Sequence, residues 1–171
     1  MKITKLLLIG LAVIFFACSE DEDPKPTREG LLGGWTVTAV DYAGTTTTTV
    51  QGISVKSDFT GKGKDMAMAI TFNDNPATFT STGSYTVTLT STTAGQTVTQ
   101  DYPFEGFMID GTWALDGSTI TITNANGTQK ATVVEQTSTT LKMKWDYDYT
   151  MSQQGASVVM KVKGTYAFKK K

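Results

Sequence analysis

Asp146 and Asp148 stand two residues apart, preceded at the same spacing by Lys142 and Lys144. On an extended strand such an i, i+2 pair shares one face, with the side chains about 7 Å apart, which is compatible with paired acid and base work. Opposite charges alternating along a wet face also make an ordinary solvated ladder, and no local motif singles this one out. Asp58-Phe59-Thr60-Gly61-Lys62-Gly63-Lys64-Asp65 has the glycines and lysines of a phosphate loop. It lacks the Walker spacing and no helix pattern follows, so it reads as a flexible loop. The chain has no His, which removes Ser-His-Asp and Cys-His catalysis and imidazole metal ligands. Its one Cys, Cys18, has no partner for a disulfide. A protein that is not an enzyme, and that holds no metal and no cofactor, is expected.

The remaining chemistry is apolar. Met66, Met68, Trp113, Met143, Trp145, Tyr147, Tyr149 and Met160 alternate with polar residues in several segments. Met adapts to irregular apolar shapes, and Tyr and Trp add a polar handle to a large apolar body, so these eight are the candidate lining of a ligand cavity. The competing reading is that they only fill a core.

The elements that must carry them are strands. Threonine accounts for 32 of 171 residues, and β-branched side chains suit a pleated surface better than a helix. Period-2 alternation runs from Thr78 to Thr90, with Phe79, Tyr85, Val87 and Leu89 on one face and Thr or Ser on the other. It recurs at 66–72, 119–123, 141–149 and 158–168, as a sheet with one buried and one wet face requires. Asp116-Gly117 and Asn126-Gly127 suit two-residue type I′ turns, and Gly83, Gly95 and Gly155 mark further bends. Only Thr27–Leu32 suits a helical turn, with Thr27 as cap and Glu29 in its first turn. Eight to ten antiparallel strands in sequential hairpins are expected. Open edges invite aggregation, so this all-β, up-and-down meander is expected to close into a barrel and to be monomeric.

Four of the 15 basic residues and five of the 16 acidic ones precede residue 30, which leaves 11 of each in the strand-rich part. Arg28 is the only Arg. A neutral domain with no guanidinium fork has no footprint for nucleic acid. Lys169-Lys170-Lys171 reads as a short solvated tail.

The first residues read as an address. Lys2 and Lys5 precede the eleven-residue apolar run Leu6–Phe16, too short to span a bilayer and laid out as a cleaved export signal. Phe15-Phe16-Ala17-Cys18 resembles the lipobox of bacterial lipoproteins, which implies cleavage after Ala17 and acylation, with palmitate-like chains, on Cys18. Stable anchoring takes at least two membrane-binding signals, which two or three acyl chains would supply without any membrane span. Ser19-Glu20-Asp21-Glu22-Asp23 resembles the surface-export signal of Bacteroidetes-type lipoproteins and implies display on the outer membrane. The division expected is therefore a signal peptide at 1–17, an acidic disordered tether at 18–30 and one β-barrel domain at 31–171.

Gly33-Gly34-Trp35 opens the first strand and resembles the G-x-W signature of lipocalins, in which the Trp packs inside the closed end. Gly111–Ile122 and Gly164–Lys169 resemble the central hairpin and last strand of bacterial lipocalin-like lipoproteins, so the resemblance covers roughly residues 31–171. Classical lipocalins pack a late Arg over that Trp, and residues 30–171 hold no Arg, so their particular ligands do not carry over. The resemblance implies a lipocalin-like barrel whose interior takes a small hydrophobic or amphipathic molecule, with Trp145, Tyr147 and Tyr149 near its mouth. The other reading is a surface module with a filled core that binds a glycan or a partner protein, with Thr45–Thr49 and Thr60–Lys64 as its rim.

Overall fold

The computed structural model describes residues 25–171 apart from Phe107, Ile109, Asn126 and Gln154. One helical turn, α1 (Arg28–Leu31), is followed by eleven strands: β1 (Gly33–Val50), β2 (Ile53–Lys64), β3 (Ala69–Phe72), β4 (Thr78–Thr82), β5 (Ser84–Thr93), β6 (Gln96–Glu105), β7 (Gly111–Asp116), β8 (Thr119–Asn124), β9 (Gly127–Gln136), β10 (Thr140–Gln153) and β11 (Ala156–Lys170). All pairings are antiparallel, and β11 returns to β1, so that β1, β3, β4 and β7 to β11 close a ring of eight strands. The expected all-β barrel is present, with β2, β5 and β6 added outside the ring.

The extra strands follow from strand length. At Asp41 the neighbour of β1 changes from β3 to β2, while β11 stays paired with β1 up to Val50. Likewise β10 pairs with β9 only over Leu141–Lys144 and continues beside β11 to Gln153. Above the ring stands a second layer, a sheet in the order β10-β11-β1-β2-β5-β6 made of three long hairpins. The outer edges of β6 and of residues 145–153 pair with no strand among the described residues.

Gly83 marks where the chain leaves the ring. The Thr78–Thr90 alternation reads as one strand, but it divides there into β4, paired with β3 and β7, and β5, paired with β2 and β6. Gly83 has φ +83°, and a Cβ on it would lie 2.1 Å from the Ala67 carbonyl oxygen, so only Gly fits the crossing. A register shift in β1 between Val37 and Ala39 has the opposite effect. One extra residue moves the apolar series from Trp35 and Val37 to Val40 and Tyr42 while keeping it inward.

The ring is filled. Leu31, Trp35, Met68, Ile70, Phe72, Phe79, Ile120, Ile122, Leu141 and Met143 are all within 1 % of full burial. Thr27 caps α1 by accepting from the Gly30 amide, as its sequence suggests, and Leu31 closes the floor. Trp35 Nε1 donates to the Leu31 carbonyl at 2.8 Å. Arg28 holds Asp74 through two nitrogens, at 2.7 and 2.9 Å, and lies 4.4 Å over the Trp113 ring. α1 is thus the plug of the closed end.

Four local expectations are corrected. Lys170 is no solvated tail: its Nζ sits 4.3 Å over the Trp35 ring and donates to the Leu32 carbonyl, the place of the missing arginine. Asp58–Lys64 is no loop but the end of β2, where Gly61 and Gly63 answer crowding rather than flexibility. A Cβ on Gly61 would meet Val87 at 2.8 Å, and one on Gly63 would meet Val40 at 2.9 Å. Thr45–Thr49 is paired on both sides in mid-β1 and forms no rim. The β7–β8 turn has Asp116 opposite Thr119, with positive φ at Gly117 and not at Ser118, so it is not type I′. At the next turn Asn124 lies opposite Gly127, and Asn126 is outside the described residues. Among the described residues, the turns with two positive φ values are Gln51-Gly52 and Ala94-Gly95.

Candidate functional site

A cavity of about 470 Å³ lies in the concave face of the three-hairpin sheet. Its walls are Thr46, Phe59, Val87 and Leu89 in the middle, Tyr102 and Phe104 from β6 on one side, and Trp145, Tyr147, Met160 and Val162 on the other. Two further clefts, by Lys25 and Gln136 and by Gly83 and Gly106, are about equally polar and apolar. The hairpin cavity is mostly apolar, and none of its thirteen lining residues carries a charge.

Its floor is Tyr42, one of a cluster of three phenols. Tyr42 Oη lies 2.7 Å from Tyr85 Oη and also hydrogen-bonds the Tyr166 hydroxyl. Three strands supply them, and glycines make the room. Tyr42 pairs with Gly61 on one side and Gly164 on the other, and a Cβ on Gly164 would lie 3.0 Å from the Tyr42 ring. Gly44 serves Phe59 in the same way, at 2.5 Å from its Cζ. Burial first, and then the neighbouring phenols, push the Tyr42 and Tyr166 hydroxyls well above the usual tyrosine range. The Tyr42 and Tyr166 hydroxyls therefore stay neutral at any physiological pH.

The eight residues singled out in the sequence separate into two groups. Met68, Trp113 and Met143 are buried in the ring below the phenols, and Met66 packs against that core. Trp145, Tyr147 and Met160 line the cavity. Tyr149 continues the row outward: the Trp145–Tyr147 and Tyr147–Tyr149 rings are stacked, with centroids 5.2 and 6.2 Å apart. Gly33 begins β1 with φ +100°, and Trp35 is fully buried at the closed end.

The opposite wall was missed. Tyr85 stacks on Phe104 at 5.5 Å, and Tyr102 lies across the cavity from β10. The signal was the alternation Val98, Tyr102, Phe104, disguised by Pro103 between the aromatics. Pro is tolerated there because β6 is an edge strand, with the missing N–H facing outward. Asp146 and Asp148 are exposed on the outer face, opposite Lys163 and Lys161 in the register of β11, away from the cavity. Among the described residues no three acidic, Cys or His side chains cluster as a metal site would require. No helix among them is long and apolar enough to cross a membrane.

A closed antiparallel barrel, plugged at one end by a helical turn under a buried Trp and holding an uncharged cavity at the other, defines a β-barrel of the lipocalin kind. The family model described as Lipocalin-like domain matches residues 31–143, about two thirds of the chain, and the protein belongs to that family. The match begins at Leu31, the last residue of the plug, takes in β1 to β9 and the first residues of β10, and stops before the aromatic row. Comparison with curated proteins and with solved structures gave no match.

Proposed function

We propose that this protein is a surface-anchored lipoprotein that binds a small hydrophobic or amphipathic molecule in the hairpin cavity, without catalysis. The uncharged 470 Å³ cavity carries the reading, since its volume falls within the usual range of about 300–1,000 Å³ for small-molecule sites. An ion buried there would have no partner, so the enclosed part of the ligand is neutral and any charged head stays at the mouth. Membership of a family built on a binding fold supports the same reading.

The anchor rests on Cys18 and its lipobox, and surface display on the acidic run that follows; both lie outside the described residues. The tether would enter beside α1, at the closed end. β1 runs from there to the hairpin tips, so the cavity opens away from the anchored end. Acyl chains on Cys18 are the only membrane attachment in this reading.

Native mass spectrometry of the protein purified from its own cells tests the ligand: a retained lipid-like mass, lost on unfolding, is expected. Repeated recovery of the bare chain, together with failure to take up apolar fluorescent probes, would refute it. For the anchor, Cys18→Ala should move the protein from the membrane to the soluble fraction, and unchanged partitioning would count against lipidation.

A further inference from the structure

The apolar face of the three-hairpin sheet does not stop at the cavity. Val50, Ile53 and Val55 on the first hairpin, Val98, Tyr102 and Phe104 on the second, and Tyr147, Tyr149 and Met151 on the third are all exposed. They are the large apolar side chains exposed among the described residues. The strand registers place every one of them on the same face: Val50 opposite Ile53, Val87 opposite Tyr102, Tyr147 opposite Val162. Within the second layer, residues 41–64, 84–105 and 145–164, no described residue on that face is acidic or basic. Lys56, Asp58, Asp101, Lys144 and Lys161 project from the other side, and Lys170, at the far end of β11, turns in over Trp35 at the closed end. A strand order that keeps ions to one face and leaves nine large apolar side chains exposed on the other describes an interface, not a free surface.

We infer that this face is the contact between two copies of the chain, whose open sheets pack on each other and close both cavities. The area favours a second copy. With full areas of about 150–250 Å² for each aromatic and somewhat less for the aliphatics, the nine exposed side chains leave on the order of 800 Å² open. The largest patch of an ordinary monomer is about 300–600 Å², whereas one side of a standard interface is about 800 Å². The missing charges favour it too. A two-fold axis brings each patch against itself, which sets like charges together unless the patch has none. Two sheets meeting face to face at a spacing of about 10 Å would interleave these side chains as in a sandwich core. The inference does not depend on what the cavity holds.

Single cysteines introduced into the full chain in a Cys18→Ala background, where neither a native thiol nor an acyl chain intervenes, test it. Val55→Cys and Tyr149→Cys sit on the apolar face, and their neighbours Lys56→Cys and Thr150→Cys on the other. A short bismaleimide should join the first two into homodimers at a yield at least tenfold above the second two. Equal yields, no dimer at either face, or adducts of Val55→Cys with some other protein would each overturn the inference. Sedimentation in the same background provides the independent measure. Ile53→Glu or Met151→Glu should weaken association at least tenfold with the melting temperature of the barrel kept. A parent chain that is monomeric at 100 μM, or association that Ile53→Glu leaves untouched, would refute the dimer.

Discussion

Tyr42→Phe removes one oxygen atom, and the floor of the cavity specifies what should follow. That oxygen joins the Tyr85 and Tyr166 hydroxyls, so its loss deletes two partly buried hydrogen bonds. Each contributes about 0.5–1.5 kcal/mol net, so the variant should be less stable by about 1–3 kcal/mol at neutral pH. In a chain of this size that lowers the melting temperature by very roughly 2–12 °C. The pH dependence has a definite sign. Burial raises the folded pKa of Tyr42 and of Tyr166, so the stability each provides is complete below the unfolded value near 10. It is lost as pH rises above that, because the unfolded chain ionises first. The loss is about 1.4 kcal/mol per pH unit for each such group. The wild type has two and Tyr42→Phe has one, so the gap between them should narrow by about 1 kcal/mol between pH 10 and 11. Urea titrations followed by circular dichroism at pH 7.5, 10 and 11 read both effects. A variant as stable as the wild type at pH 7.5, or a gap that stays constant up to pH 11, would refute the phenol floor.

Three other variants examine separate parts of the molecule. Lys170→Ala removes the cation over Trp35 and the donor to the Leu32 carbonyl, and should cost about 1–2 kcal/mol in thermal unfolding, although its position near the chain end would suggest a neutral change. Leu89→Trp puts an indole into the cavity wall, and should reduce uptake of an apolar fluorescent probe at least tenfold while the circular dichroism spectrum is kept. Asp146→Asn with Asp148→Asn should change stability by less than about 0.5 kcal/mol and leave probe binding intact, as for exposed charges on the outer face. A loss of binding in that double variant would place function on the wrong side of the sheet.

The cavity was half legible. Trp145, Tyr147 and Met160 stand in alternating runs whose polar partners show which way each strand faces, and all three reach the site. Met68, Trp113 and Met143 carry the same kind of signal but belong to the packed ring, because alternation gives a face and not a height along the barrel. Tyr102 and Phe104 flank a Pro that reads as a strand breaker, although an edge strand accommodates it. Tyr42 follows a register shift in β1 that flips the phase of the pattern, so its inward direction cannot be extrapolated from Trp35.

Local chemistry by itself determined the all-β class, the wet and dry side of most strands, and the capped turn at Thr27. Each depends only on residues within one element and its period. Where the ring closes, and how far three hairpins rise above it, depended on strands distant in sequence. β1 meets β11 across more than a hundred residues, and Gly83 hands the chain from one layer to the other. Pairing partners are chosen by backbone hydrogen bonds, which every residue but Pro offers alike, so side-chain pattern is silent on them. The cavity, its phenol floor and the exposed apolar face all arise from that choice. Apart from the aromatic run that marks one wall of the cavity, they belong to the tertiary structure.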